Sequence, residues 1–136
     1  MLVARARVAT GVAIRPSGSL ADSAQTVGET RVVTHDAGEV GGDELRTLVL
    51  DVRARLGEAS PAVVAIGGVS KGRPVVVVAT NAAARERGVR AGALVRTASG
   101  ILGGGGGGKD DLAQGGGTDP GRLAEALAAV ATAVGS

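Results

Sequence analysis

The chain contains no phenylalanine, tyrosine, tryptophan or cysteine, and one histidine. Single-strand RNA modules commonly hold bases on aromatic rings, each stack being worth ~1–3 kcal/mol. That mode is excluded here. Any nucleic acid must be held through phosphate and sugar, by arginine stacking, or by shape. Without cysteine there is neither a disulfide framework nor a cysteine-ligated metal site. His35 is the one imidazole available as a base, and no triad surrounds it, so nucleophilic catalysis is not expected; it reads as a surface residue at a strand end. Asp110 and Asp111 are adjacent and need not converge on one ion, so neither metal nor cofactor is expected. No apolar run approaches the ~18 residues of a membrane span. The opening MLVARARVATGVAI carries two arginines and no clear cleavage site, which argues against a signal peptide.

Glycine is abundant instead, with 24 among 136 residues, a length that suits one domain. Six are consecutive, Gly103 to Gly108, and three more follow at Gly115 to Gly117. Glycine loses more backbone entropy on ordering than any other residue, so an ordered run must gain something. The gain available is close approach: a backbone without Cβ atoms can come against a phosphate, a sugar or another backbone. A floppy linker is the bland reading, and the well-signalled helix downstream weighs against it. The tract nearly matches a phosphate-binding loop, Gly103, four residues, Gly108 and Lys109. The next residue, however, is Asp110 rather than serine or threonine, and the tract follows a helix, not a strand.

Net charge is +2, but it is unevenly placed. Residues 1–28 carry +2, 29–58 carry −3, 71–109 carry +6 and 110–136 carry −3. Basic blocks are usually solvated faces. Adjoining a loop of backbone donors, this one reads as a phosphate-binding footprint.

Periodicity predicts an α/β layer of helices on a small mixed sheet. Thr30 to His35 reads as a strand, with a turn around Asp36 to Gly38. Leu45, Leu48, Val49, Val52 and Leu56 put one apolar stripe on a helix from Asp43 to Leu56, ended by Gly57. Pro61 to Val69 and Arg73 to Thr80 are apolar runs of strand length joined by Ser-Lys-Gly, an antiparallel hairpin. Asn81 caps a short helix through Glu86. Ala91 to Leu102 is helical despite Gly100, the glycine tract is a loop, and Thr118-Asp119-Pro120 opens the last helix. Its buried stripe is Leu123, Ala126, Leu127, Val130 and Val134. Residues 1–28 stand apart as an N-terminal extension, with a strand over residues 2–14 and a short helix over SLADSAQTV capped by Ser19.

Three segments, GGVSKGRPVVVVATN, GVRAGALVRTASGILGGGGGGKDDLAQGGGTD and the closing alanine-rich helix, resemble the DHHA1-type C-terminal domain of alanyl-tRNA synthetases. The likeness covers roughly residues 29 to 136. It implies a single DHHA1-like globular domain that is not itself catalytic, since the class II core and the editing motif are missing. It implies docking on the elbow of alanine tRNA, beside the other domains of a cytoplasmic synthetase, with no membrane partner and a homo-oligomer left open. On that reading Lys71, Arg73, Arg85, Arg87 and Lys109 engage phosphates, while the amides of Gly104, Gly105, Gly106, Gly107 and Gly108 approach sugar and backbone. Two other readings stay open. One is an accessory domain recognising a substrate phosphate for a DHH-type phosphoesterase, in which Lys109 stands where a histidine is expected. The other is a protein-interaction module.

Overall fold

A computed structural model describes residues 24–134. Six strands form one mixed sheet in the order β1-β2-β3-β4-β6-β5. The strands are β1 (Gln25–Val27), β2 (Thr30–Glu39), β3 (Ala62–Ser70), β4 (Arg73–Thr80), β5 (Gly106–Gly108) and β6 (Leu112–Gly116). Helix α1 (Gly42–Leu56) connects β2 to its parallel neighbour β3, and every other neighbouring pair is antiparallel. Helices α2 (Ala82–Glu86), α3 (Ala91–Leu102) and α4 (Leu123–Val134) follow β4 and flank the β5–β6 ribbon in sequence.

The continuous apolar runs of β3 and β4 follow from helices covering both sheet faces. Val64 and Ile66 of β3, with Val77 and Ala79 of β4, pack against Leu45, Val49, Val52 and Leu56 of α1. The alternate residues Val63, Ala65, Val76 and Val78 pack against Leu94, Val95 and Ala98 of α3 and Leu123, Leu127 and Val130 of α4. Val134, expected in the buried stripe of α4, is half-buried at the helix end.

The β3–β4 hairpin forms as its sequence suggests, and Ser70 pairs with Arg73 across it. Its two turn residues, Lys71 and Gly72, both take positive φ (54° and 78°), which the right-handed twist of a two-residue hairpin favours. Asn81 does more than cap α2. Its Oδ1 accepts from the N–H groups of Ala84 and Ala62, both at 2.9 Å, and its Nδ2 donates to the carbonyls of Gly57 and Ser60. This buried amide ties the end of α1 to the start of β3 and α2.

Three expectations are corrected. The chain does not turn at Asp36 to Gly38; β2 runs on to Glu39 through a register shift, with Gly38 at φ 80° and its N–H donating to Asp36 Oδ1. His35 is therefore a half-buried mid-strand residue opposite Ile66. In place of a helix over SLADSAQTV, Gln25–Val27 pairs with β2, and residues 19–23 of that segment, like the strand expected over residues 2–14, lie outside the described residues. Most consequentially, much of the glycine tract is not a loop. Strand pairing absorbs Gly106–Gly108 as β5 and Gly115 and Gly116 as the end of β6, while Gly103 to Gly105 connect the last turn of α3 to the strand. The final helix opens through a 3₁₀ turn at Pro120–Arg122, where the Asp119 side chain accepts from Gly121 N–H.

Candidate nucleic-acid interface

Helix α3 ends at Gly103, whose left-handed φ of 83° turns the chain, and Gly104 N–H returns to the Ser99 carbonyl at 2.9 Å. This is the six-to-one closure of a Schellman motif. The next residues form the sheet edge, with Gly106 opposite Gly115, Gly107 opposite Gln114 and Gly108 opposite Ala113. The bonds from Gly116 N–H to the Gly105 carbonyl and from Lys109 N–H to the Leu112 carbonyl set the phase of the ladder. Bonded and non-bonded pairs alternate in an antiparallel pair. The backbone groups of Gly107 therefore face β6, while those of Gly106 and Gly108 face outward along the sheet edge.

The two faces of this ribbon differ. A Cβ on Gly106 would lie 2.3 Å from Gly115 Cα and 2.9 Å from Val95 Cγ1 of α3. One on Gly108 would lie 2.7 Å from Ala113 Cα, and one on Gly104 would lie 2.3 Å from the Gly116 carbonyl oxygen. Gly115 and Gly117 are equally closed, against Ser99 and Leu102. These glycines let two strands and a helix approach one another. Packing inside the domain therefore requires Gly104, Gly106 and Gly108 to be glycine in its own right. Gly105 and Gly107 are different. Neither has positive φ, and a Cβ on either would meet nothing within 4 Å.

Lys109, Asp110 and Asp111 form the β5–β6 turn, which is held from several sides. Ala91 and Gly92, opening α3, donate to the Asp110 and Lys109 carbonyls at 2.9 and 3.2 Å. Thr80 donates its N–H to the Asp111 carbonyl and its hydroxyl to that of Asp110. Carbonyls therefore occupy the first amides of α3, and Lys109 opens no helix of its own, so the likeness to a phosphate-binding loop ends at the sequence. No group of three or more His, Asp or Glu side chains among the described residues could hold a metal ion.

The basic residues chosen from sequence do not form one cluster. Lys71 and Arg73 are exposed at the β3–β4 turn, where Ser70, Arg73, Gly105, Gly116 and Thr118 border a shallow groove. Lys109 is exposed at the opposite end of the ribbon. The eight residues of β4 separate these ends by about 24 Å. Arg85 is half-buried and donates to the Thr80 carbonyl. Arg87 is paired with Glu29 beside a cleft of about 400 Å³ near the β1–β2 turn, at the other edge of the sheet from β5.

Two arginines outside the basic block do reach the ribbon. Arg46 of α1 donates to Gln114 Oε1 of β6 at 2.6 Å and pairs with Asp43. Arg53 of α1 donates to the Asp111 and Thr80 carbonyls at 3.2 and 3.3 Å. Counting charge along the chain hid them in an acidic segment. Their seven-residue spacing, placing both on one flank of α1, was the signal available.

A family model for the DHHA1 domain matches residues 29–136. The chain belongs to the DHHA1 family. An alanine–tRNA ligase of Kineococcus radiotolerans is 69% identical over 106 residues, 78% of this chain but 12% of that protein. The alanine–tRNA ligase of Paenarthrobacter aurescens is 60% identical over 120 residues, 87% of this chain and 13% of the ligase. The crystal structure of the C-Ala domain from Aquifex aeolicus alanyl-tRNA synthetase is similar with TM-score 0.75 and 29% identity, covering 84% of this chain and 99% of that one. A DHH-domain structure described as a member of the s1p family of ribosomal proteins shares the fold at TM-score 0.65 and 17% identity, covering 88% of this chain and 30% of that one. The chain thus spans about an eighth of the ligases it matches and is homologous to the C-terminal region of alanyl-tRNA synthetase. That region is an accessory part of the ligase rather than its catalytic core. No described helix is long and apolar enough to cross a membrane.

Proposed function

We propose that this DHHA1 domain is the tRNA-binding appendage of an alanine–tRNA ligase, docking on the folded elbow of alanine tRNA to support aminoacylation and editing by the other domains of a cytoplasmic synthetase. The observation that carries the reading is the identity of its relatives: ligases that act on tRNA, matched closely over a segment of about 12–13% of their length. The surface chemistry agrees. With no aromatic side chain, the domain has arginine and lysine side chains and exposed backbone as its means of holding RNA, which suits recognition of shape over sequence.

In this reading Lys71 and Arg73 contact phosphates at one end of the ribbon and Lys109 at the other. The outward backbone groups of Gly106 and Gly108 meet sugar and phosphate oxygens between them. Arg85 and Arg87 contribute less, because the Thr80 carbonyl and Glu29 already engage them. About four to six phosphate contacts give a slope of log K against log[salt] of roughly −3 to −5. The test is a binding series with folded alanine tRNA, an unstructured RNA of equal length and a mononucleotide, at several salt concentrations. Preference for the folded tRNA with that slope is expected. Equal affinity for the unstructured RNA, or affinity indifferent to salt, would overturn the proposal. Tight binding of the mononucleotide alone would favour a role beside a phosphoesterase.

A further inference from the structure

The β5–β6 ribbon is covered on one face by α3 and bare on the other. Gly106, Gly108 and Gly115 turn toward Val95 and Ala113 on the α3 side. By strand alternation Gly105, Gly107, Leu112, Gln114 and Gly116 turn toward the α1 side. There α1 reaches as far as β6, through Arg46 on Gln114, and leaves β5 open beyond it. We infer that the tRNA sugar–phosphate backbone lies on this α1-side ledge, and that Arg46 of α1 belongs to the binding surface together with Arg73, while Arg53, already donating to the Thr80 and Asp111 carbonyls, fixes the turn at the end of the ledge. The inference rests on the tRNA reading above and adds the face and Arg46 to it.

Charge complementarity decides the occupant. Arg73 shares its strand face with Val75 and Val77, the residues that pack on the α1 side, and it borders the groove formed with Gly105 and Gly116. Arg46 and Arg53 stand along the opposite wall, seven residues or about 10 Å apart on the helix. Asp43 engages one nitrogen of Arg46 and Gln114 another, which leaves donors of the guanidinium free to turn outward; the side chain is 42% exposed. Two planar guanidinium forks, those of Arg46 and Arg73, beside a flat floor suit phosphate oxygens. The floor carries few apolar side chains, with Leu112 half-buried at one end, so it offers a protein partner little of the apolar anchor that interfaces depend on. The glycine ledger points the same way. The other tract glycines are accounted for by internal packing or by a helix end. Gly105 and Gly107 have no such reason, and both lie on this ledge.

The 136-residue chain tests this directly, with affinity for folded alanine tRNA and melting temperature measured on every variant. A Cβ at Gly107 or Gly105 meets nothing within 4 Å, so Gly107→Val and Gly105→Val should place a side chain on the ledge and keep the melting temperature. Each is expected to weaken binding by tenfold or more. Arg46→Gln and Arg73→Gln should each lower the salt slope by about one contact, ~0.7–0.9. Arg96→Gln removes the same charge from the exposed side of α3 and should leave affinity within about twofold. Parent-like binding by folded Gly107→Val and Arg73→Gln, with Arg96→Gln weakened, overturns the inference and leaves the tRNA reading standing. Parent-like binding by all of them assigns the ledge to another partner and also overturns it. Failure of the unaltered chain to bind tRNA defeats the reading itself, and the inference with it. Should Arg46→Gln melt early, the two valine variants and Arg73→Gln carry the test.

Discussion

Adjacent glycines in β5 should respond to alanine in opposite ways, and the size of the difference follows from the backbone. On Gly106 the new methyl would sit 2.3 Å from Gly115 Cα, 2.9 Å from the Gln114 carbonyl oxygen and 2.9 Å from Val95 Cγ1. Carbon atoms prefer about 3.5–4.0 Å, so the strands must separate by more than ~1 Å or α3 must shift. Overpacking of this kind costs about 1–3 kcal/mol. Replacing glycine also restricts the unfolded chain, which returns about 0.4–1 kcal/mol. The net loss for Gly106→Ala is therefore about 1–2 kcal/mol. At roughly 3–5 °C per kcal/mol for a domain of this size, melting should fall by about 3–10 °C. Gly107→Ala meets nothing within 4 Å and keeps the unfolded-state gain, so its melting temperature should hold or rise by a few degrees. Far-ultraviolet circular dichroism is the assay, since without tryptophan or tyrosine the chain has no useful intrinsic fluorescence. Equal melting of the two variants would refute the assignment of alternate glycines to opposite faces.

Asn81→Ala should be among the most damaging single changes. It deletes four hydrogen bonds from a buried site and leaves Ala62 N–H and the Gly57 and Ser60 carbonyls seeking partners; about 3–5 kcal/mol of lost stability is expected from denaturant midpoints. At the start of α4, the hydrogen bond from Arg122 holds the Glu125 carboxyl below its ordinary pKa, with the guanidinium charge adding to the effect. A lowered folded-state pKa means that this small contribution is present above the unfolded pKa and fades as pH falls through the folded one. Arg122→Ala should return the Glu125 titration, followed by NMR, to the ordinary glutamate range.

The sequence announced those elements whose side chains alternate. Helix α1 was legible because Leu45, Val49, Val52 and Leu56 repeat at helical spacing and Gly57 stops them. The β3–β4 hairpin was legible because two apolar runs of strand length flank a turn that only a few residue types can make. β5 was invisible for the complementary reason. Periodicity is a property of side chains, and a strand of three glycines has none to alternate. Its partner β6 ends in glycines too, which left Leu112 and Ala113 as a pattern too short to read. The bulge at Asp36 to Glu39 failed differently: Asp and Gly do mark a local irregularity there, and pairing with β3 carries the strand through it.

The candidate site was half legible, and the half that was missed shows what a one-dimensional reading loses. Close backbone approach was the correct reason for the glycines, but the tract approaches itself and α3 as well as offering a surface, and only the alternation of a strand separates the two uses. Charge behaves likewise. The basic block over residues 71–109 is dispersed by the fold: Arg87 goes to the β1–β2 edge, Arg96 to the outside of α3, and Arg73 and Lys109 to opposite ends of the ribbon. Meanwhile Arg46 and Arg53, from a segment of net −3, arrive beside the strand that the glycines build. On the proposed tRNA reading, a domain without aromatic rings needs positive charge spread over a distance comparable to the RNA fold it recognises, rather than gathered at a point. Strand β4 supplies that spacing, because its eight residues hold the β3–β4 turn and the β5–β6 turn about 24 Å apart on one rigid sheet. The glycine ribbon fills the interval with backbone that stands proud of no side chain. The same residues that allow β5 to close the sheet therefore keep the strand between the two basic ends free of side chains, which is the span that the proposed tRNA contact uses.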